Sequence, residues 1–459
     1  MKAGHKLLLH FSMVIWFLVS ISTLATFLLD IDFFKRSTVF KEENCIRVKN
    51  TPLGNSEDQT KFNNNSIILT EWSILKYRPG EDRPGAMYVA SGFQHSDETP
   101  NTQEFVDKHL TIDKLPLIGY PEGVDFHPHG IYVHKPDNTL YVVNHAYEKG
   151  GERIDVFDII TAETDDTDNA VPNKLNYKYS ITDEWMQTEM NGILNSLVVV
   201  EPNKFYVTQY EAHPKDRDAP DWMTDLHMLY LLFSKPKETR VWFCEYNPST
   251  SSLDCKSVAE GFVVANGITS NTDHSKIFVA DTVGRSITVF DRDASTNELT
   301  NRRTVPSPFI AVDNIKFDDV SGNVYGAGIS NVYQTFKNFA LDPNEESELS
   351  TSGFIELSHS ANRERFERNV DGWKVKNPLS TSKINMATNG LRMNSHYVMG
   401  SGVGGVGTNQ GLLVCPLVTD VGNELSPAKQ MQRESKLAKL GELLNPSSSE
   451  NESSSENEL

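Results

Sequence analysis

The sequence predicts an all-β fold, a six-bladed β-propeller carried behind one N-terminal hydrophobic helix. Three observations predict it. First, a strand-turn-strand unit recurs between about residues 40 and 420, in GVDFHPHGIYVHKPDNTLYVVNHA, LNSLVVVEPNKFYVTQY, ANGITSNTDHSKIFVADTVGRSITVFDRD, DNIKFDDVSGNVYGAG and TNGLRMNSHYVMGSG. Each begins with a polar residue and a short apolar run, passes a turn rich in Asn, Asp, Pro or Gly, and resumes with an alternating strand. Second, the opening residues His129, Asn195, Asn266, Asn314 and Asn389, with Glu57-Asp58 one interval upstream, lie 48 to 75 residues apart, the length of about four strands and so of one blade. Third, long helical periodicity is nearly absent here, and a single β-sandwich would not generate six such repeats.

Taken in order, residues 1–36 read as a short cytosolic stub followed by a hydrophobic anchor or signal. Leu7 to Leu29 is a 23-residue run whose one ionisable group is His10, long enough to cross ~30 Å of hydrocarbon as a helix. Lys2 and Lys6 precede the run, and Asp30 and Asp32 follow it. That bias keeps the N-terminus cytosolic and sends the remainder into the secretory lumen. The sequence expectation is a single-pass membrane protein with a lumenal or extracellular propeller or, if the segment is cleaved near Thr23 and Ala25, a secreted one.

The whole chain has 459 residues, 43 Lys and Arg against 62 Asp and Glu, and a net charge of −19. With no basic block, it lacks the side chains that grip a phosphate backbone, which excludes nucleic acid as a partner. The four cysteines, Cys45, Cys244, Cys255 and Cys415, invite pairing in an oxidising compartment. Three connectivities exist. Cys244 and Cys255 flank a hairpin-like turn, and their pairing would leave Cys45 and Cys415 to close the domain; the other reading leaves one or two buried thiols. Asn64-Asn65-Ser66 is a glycosylation sequon, with a second at Asn451.

Insertions are expected at 213–228 and in the charged stretch 340–385, on one face of the ring. Residues 426–444 form a candidate amphipathic helix, and 445–459 a disordered, acidic, Ser-rich tail that cannot bury apolar surface.

In a propeller the first strand of each blade lines the central channel. Glu57, Asn195, Asn266, Asp313 and Asn314 would therefore converge there. All five offer oxygen and none sulfur, the donor set of a hard cation, and calcium with its six to eight oxygens suits it best. Asn and Asp also serve simply as turn formers.

The motifs NCIRVKN with NSED, DFHPHGI, LYVVNH, LNSLVVVEPNKFYVTQ, AEGFVVANGI, VDNIKFD and LLVCPL, in order from Cys45 to Leu417, resemble the serum paraoxonase/arylesterase family. The resemblance implies a six-bladed propeller holding two calcium ions and hydrolysing lactones and aryl esters. It implies that Glu57, Asn195, Asn266, Asp313 and Asn314 hold the catalytic calcium. A structural calcium would take Asp58, the carbonyl of Ile131 and position 196, where this chain has Ser196 in place of the family's aspartate. By the same resemblance His129 is the general base and His145 its partner. His127 and His134, in the same dense run of histidines, are not expected to be catalytic.

It further implies a Cys45–Cys415 disulfide, which leaves Cys244 with Cys255. The expected substrate is a small hydrophobic ester or lactone, with the N-terminal segment held in a membrane. Some membrane-anchored relatives act instead as chaperone-like or assembly factors, so a membrane-protein client is the alternative partner. One departure concerns the substrate wall, where VYGAGISN offers Tyr325 and small residues in place of the family's aromatic and histidine side chains.

Overall fold

The computed structural model describes residues 2–417 apart from interruptions, the longest at 72–83, 335–349, 360–368 and 403–410; for residues 2–14 it describes the backbone alone. The candidate helix at 426–444, the tail at 445–459 and Asn451 lie outside the described residues.

After α1 (Lys2–Asp30) and the short β1 (Ile46–Val48), the chain winds through six blades. The first is β2 (Gln59–Lys61), β3 (Ser66–Glu71), β4 (Ala86–Ser91) and, after α2 (Thr102–Lys108), β5 (Thr111–Leu115). Next, β6 (Leu117–Ile118) pairs in parallel with the outer strand of the second blade, which is β7 (Pro128–His134), β8 (Thr139–Ala146), β9 (Gly151–Thr161) and β10 (Pro172–Ile181). After α3 (Glu184–Thr188) the third blade holds β11 (Leu194–Glu201) and β12 (Lys204–Gln209), then α4 (Asp221–Ser234), then β13 (Thr239–Asn247) and β14 (Ser252–Phe262). The fourth is β15 (Ala265–Ser270), β16 (Lys276–Asp281), β17 (Ser286–Arg292) and β18 (Leu299–Pro306). The fifth is β19 (Ala311–Phe317), β20 (Val324–Ile329), β21 (Ser352–His359) and β22 (Trp373–Thr381). The sixth is β23 (Asn389–Met393), β24 (His396–Gly400) and β25 (Leu412–Pro416).

The sixth blade takes its fourth strand from the other end of the chain. β1 pairs antiparallel with β25, Ile46 opposite Val414, and a Cys45–Cys415 disulfide fixes the junction. Lys383 adds a clasp, its Nζ donating to the carbonyls of Glu42 and Cys45 at 2.8 Å each. Cys244 and Cys255 face each other across β13 and β14 and form the second disulfide.

Burial falls from axis to rim, which is why the inner sequences are nearly continuous apolar runs and the outer ones alternate. Every residue of β15 and β8 is buried, whereas β18 is mostly exposed or half-exposed. First strands of neighbouring blades touch around the ring, and glycine permits the closest approaches. At Gly267 an added Cβ would lie 2.7 Å from the Asp313 carbonyl oxygen and the Asn314 Cα.

Two expectations change. The 213–228 insertion leads into a helix, α4, and Phe233 of that helix stacks on Phe27 of α1 with ring centroids 4.0 Å apart. The charged stretch 340–385 is not wholly an insertion, because β21 and β22 lie inside it and complete the fifth blade. As for the N-terminus, α1 covers the apolar run, but among the described residues no helix is long and apolar enough to cross a membrane. The anchor remains an expectation from the sequence.

A disulfide joining residues 370 apart removes much unfolded-chain entropy. Replacing Cys45 and Cys415 together by serine is expected to cost about 2–5 kcal/mol in denaturant unfolding; an unchanged midpoint would show that the β1–β25 ladder closes the ring unaided.

Candidate metal centre and histidine relay

Four of the inner strands break register at the same place. The ladder slips between Pro128 and Ile131, Leu194 and Leu197, Ala265 and Ile268, and Val312 and Ile315. Each slip brackets a polar residue singled out in the sequence: His129, Asn195, Asn266, and Asp313 with Asn314. A bulge re-aims side chains that a regular strand would send into the blade faces.

The re-aimed groups end in unmatched oxygens. Asn195 Oδ1, Asn266 Oδ1, Asp313 Oδ1 and Asn314 Oδ1 are buried without a hydrogen-bond partner. The amide orientation of Asn314 follows from chemistry, since its Nδ2 donates to the carbonyl oxygen of Glu57 at 3.0 Å, an atom that can only accept. Thr388 Oγ1 donates to the same carbonyl at 3.0 Å. Nearly all buried polar atoms in folded proteins are paired, and leaving one unpaired costs about 1–3 kcal/mol. Four orphaned acceptors together therefore point to a missing donor or cation.

Charge points the same way. The Glu57 carboxyl is pushed up to about 8, first by burial and then by the neighbouring Asp58 charge, with the Thr388 hydrogen bond opposing. Asp313 is held well above the usual carboxylate range, first by burial and then by Glu57, while His129 opposes. Among the described residues no group of three His, Cys, Asp or Glu side chains forms a metal-binding cluster. The donor set is two carboxylates and three amides, all oxygen. It fits one hard divalent cation.

Beside this set runs a relay. His129 Nδ1 lies 2.6 Å from His145 Nε2, and His145 Nδ1 lies 2.7 Å from Glu152 Oε2. Glu152 is fully buried and also accepts from the backbone N–H of Gly192 at 2.9 Å. On its other side His129 Nε2 is 3.3 Å from Glu57 Oε1 and 3.4 Å from Asn195 Nδ2. Glu152 escaped the sequence reading. Its signal was its place opposite His145 in the β8–β9 hairpin. His127 and His134 have other partners: His127 Nδ1 meets the His145 carbonyl at 2.8 Å, and His134 Nδ1 meets Asp137 Oδ1 at 2.6 Å.

Two of the three groups expected at a second ion, Asp58 and the Ile131 carbonyl, are otherwise engaged. Asp58 Oδ1 accepts from Gln59 N at 2.8 Å, and Asp58 Oδ2 accepts from Ile131 N at 2.9 Å and from Lys316 Nζ at 2.8 Å. Lys316 Nζ also donates to the carbonyl of Ile131 at 3.3 Å. Ser196 Oγ is buried without a partner. Asn64 is exposed in the turn joining β2 and β3.

A family model described as Arylesterase matches residues 74–351. Human serum paraoxonase/lactonase 3 is 28% identical over 291 residues, 61% of this chain and 68% of that protein. Serum paraoxonase/arylesterase 2 of Gallus gallus is 26% identical over 297 residues, again 61% of this chain and 68% of that protein. Among solved structures, a luciferin-regenerating enzyme aligns at TM-score 0.41 and 12% identity, covering 80% of this chain and 92% of that one.

A carboxyl whose folded value is raised stabilises the fold fully below its unfolded value, near 4.5, and that contribution is lost as pH rises through about 8. In chelator, the melting temperature is therefore expected to fall between pH 5 and 8.5, and Glu57→Gln to flatten the decline. A wild-type protein that gains stability over that interval would contradict the burial assigned to Glu57.

Proposed function

The chain belongs to the arylesterase family, and on that premise we propose that it is a calcium-dependent hydrolase of lactones and aryl esters, acting on small hydrophobic substrates. The observation that carries this reading is the set of four partnerless buried oxygens beside His129. Glu57, Asn195, Asn266, Asp313 and Asn314 would hold the ion. When bound, it supplies positive charge where an ester carbonyl becomes an oxyanion.

The chain's own residues manage the proton. Glu152 accepts from the backbone N–H groups of Gly192 and Leu194, so as a carboxylate it takes a further hydrogen bond from His145 Nδ1–H, and His145 Nε2 then accepts from His129 Nδ1–H. That tautomer leaves the Nε2 lone pair of His129 toward Glu57 and Asn195. There it can take a proton from the attacking water. Glu152 is a positioning residue, fixing the tautomer through His145 as the carboxylate of a catalytic triad does.

We also propose that the propeller works in the secretory pathway, secreted or tethered through α1. Two disulfides support an oxidising compartment, and exposed Asn64 is accessible to glycosylation.

The test is turnover of a lactone panel and phenyl acetate by the purified protein, with calcium and after chelation. Calcium-dependent hydrolysis is expected, and no turnover by folded, calcium-loaded protein would overturn the enzymatic reading. His129→Gln is expected to lower kcat ~10²–10⁴-fold with an unchanged fold by circular dichroism. Glu152→Gln is expected to lower kcat and displace its pH profile, and a profile that keeps its position would reduce Glu152 to a packing role.

A further inference from the structure

We propose that the ammonium of Lys316 stands in place of a second cation, so that the channel of this protein takes one divalent ion and not two. The resemblance to the family implies a structural ion on Asp58, the Ile131 carbonyl and an aspartate at 196. Two of those three groups are intact here, and both are bound by Lys316 Nζ, at 2.8 Å from Asp58 Oδ2 and 3.3 Å from the Ile131 oxygen. The third is Ser196, which is neutral.

The two differences balance. An ion of charge +2 against two carboxylates and an ammonium of charge +1 against one carboxylate are both neutral. Asp58 is fully buried, and a buried carboxylate demands a counter-charge held in good geometry. Lys316 supplies it, with its own side chain nearly enclosed. An ammonium has three donors in a compact head, so it bridges a carboxylate and a carbonyl much as a small cation does. A divalent ion added at the same place would meet that positive charge with one carboxylate fewer to offset it.

The geometry also explains what the lysine holds together. Asp58 precedes β2 in the first blade, Ile131 is in β7 of the second, and Lys316 is in β19 of the fifth. One side chain thus braces three blades across the channel. Lys316 also lies two residues after Asn314, so β19 carries both an oxygen of the first site and the substitute cation of the second.

This inference rests on the metal reading of the first site only for its count of one; the gain of an ion on reversing the substitution tests it independently. The measurement is bound calcium per chain, by equilibrium dialysis with elemental analysis, in the wild-type protein and in a Lys316→Ser, Ser196→Asp double variant. One ion and two ions are expected. Two in the wild type, or equal counts in both proteins, would overturn the proposal. None in the wild type and one in the variant would uphold the lysine and remove the calcium from the first site. Lys316→Met provides a second measurement, should the double variant not fold. In chelator its melting temperature is expected to fall by several degrees, because Asp58 loses its counter-charge; an unchanged value would overturn the brace.

Discussion

Two carboxylates stand at the propeller axis among three amides, Glu57 buried and Asp313 half-buried with its Oδ1 enclosed, and burial of charge is tolerated only where a counter-charge is supplied. The surrounding structure is arranged around that constraint. Ring closure brings the inner strands within reach of one another, bulges in four of them turn polar side chains out of the blade faces, and Gly267 lets the fourth blade approach the carbonyl of Asp313. A regular strand at any of these places would carry the same residues to a different face, and the oxygens would not meet.

The axis handles its charges in two ways. At Asp58 the chain provides its own cation in Lys316, and the carboxylate is fully hydrogen-bonded. At Glu57 and Asp313 the nearby basic group is His129, itself bonded to His145, and the oxygens beside it stay unmatched. The first arrangement is stable as it stands. The second leaves those oxygens unmatched, which is why a bound cation is proposed there and not at Asp58. In the proposed mechanism the contacts from Glu152 through His145 direct the His129 imidazole lone pair to the edge of that site.

Much of this was legible in the sequence. Inner strands are buried on both faces, so DFHPHGI, LNSLVVV and ANGI stand out as apolar runs opened by a polar residue, and their spacing gives the blade count. Asn195, Asn266, Asp313 and Asn314 were identifiable for the same reason, as oxygens at the start of each run. Three things were not legible. Bulges depend on the pairing partner, which a single strand does not specify. Glu152 required knowing the β8–β9 register, in which it falls opposite His145. Lys316 looked like an ordinary strand residue, because its role depends on Asp58, 258 positions away. The stretch 340–385 misled for a related reason: β21 is mostly buried, but the outermost strand β22 is half-solvated through its middle, and its lysines look like loop.

We propose the axis as a cation site completed from three blades, the third, fourth and fifth, and the segment before β2. The most direct measurement is a crystal structure of the calcium-loaded protein, with anomalous scattering used to locate the ion. The expected result is one peak about 2.3–2.6 Å from the side-chain oxygens of Glu57, Asn195, Asn266, Asp313 and Asn314. A structure in which those oxygens are hydrogen-bonded to one another or to ordered water, with no anomalous peak among them, would contradict it.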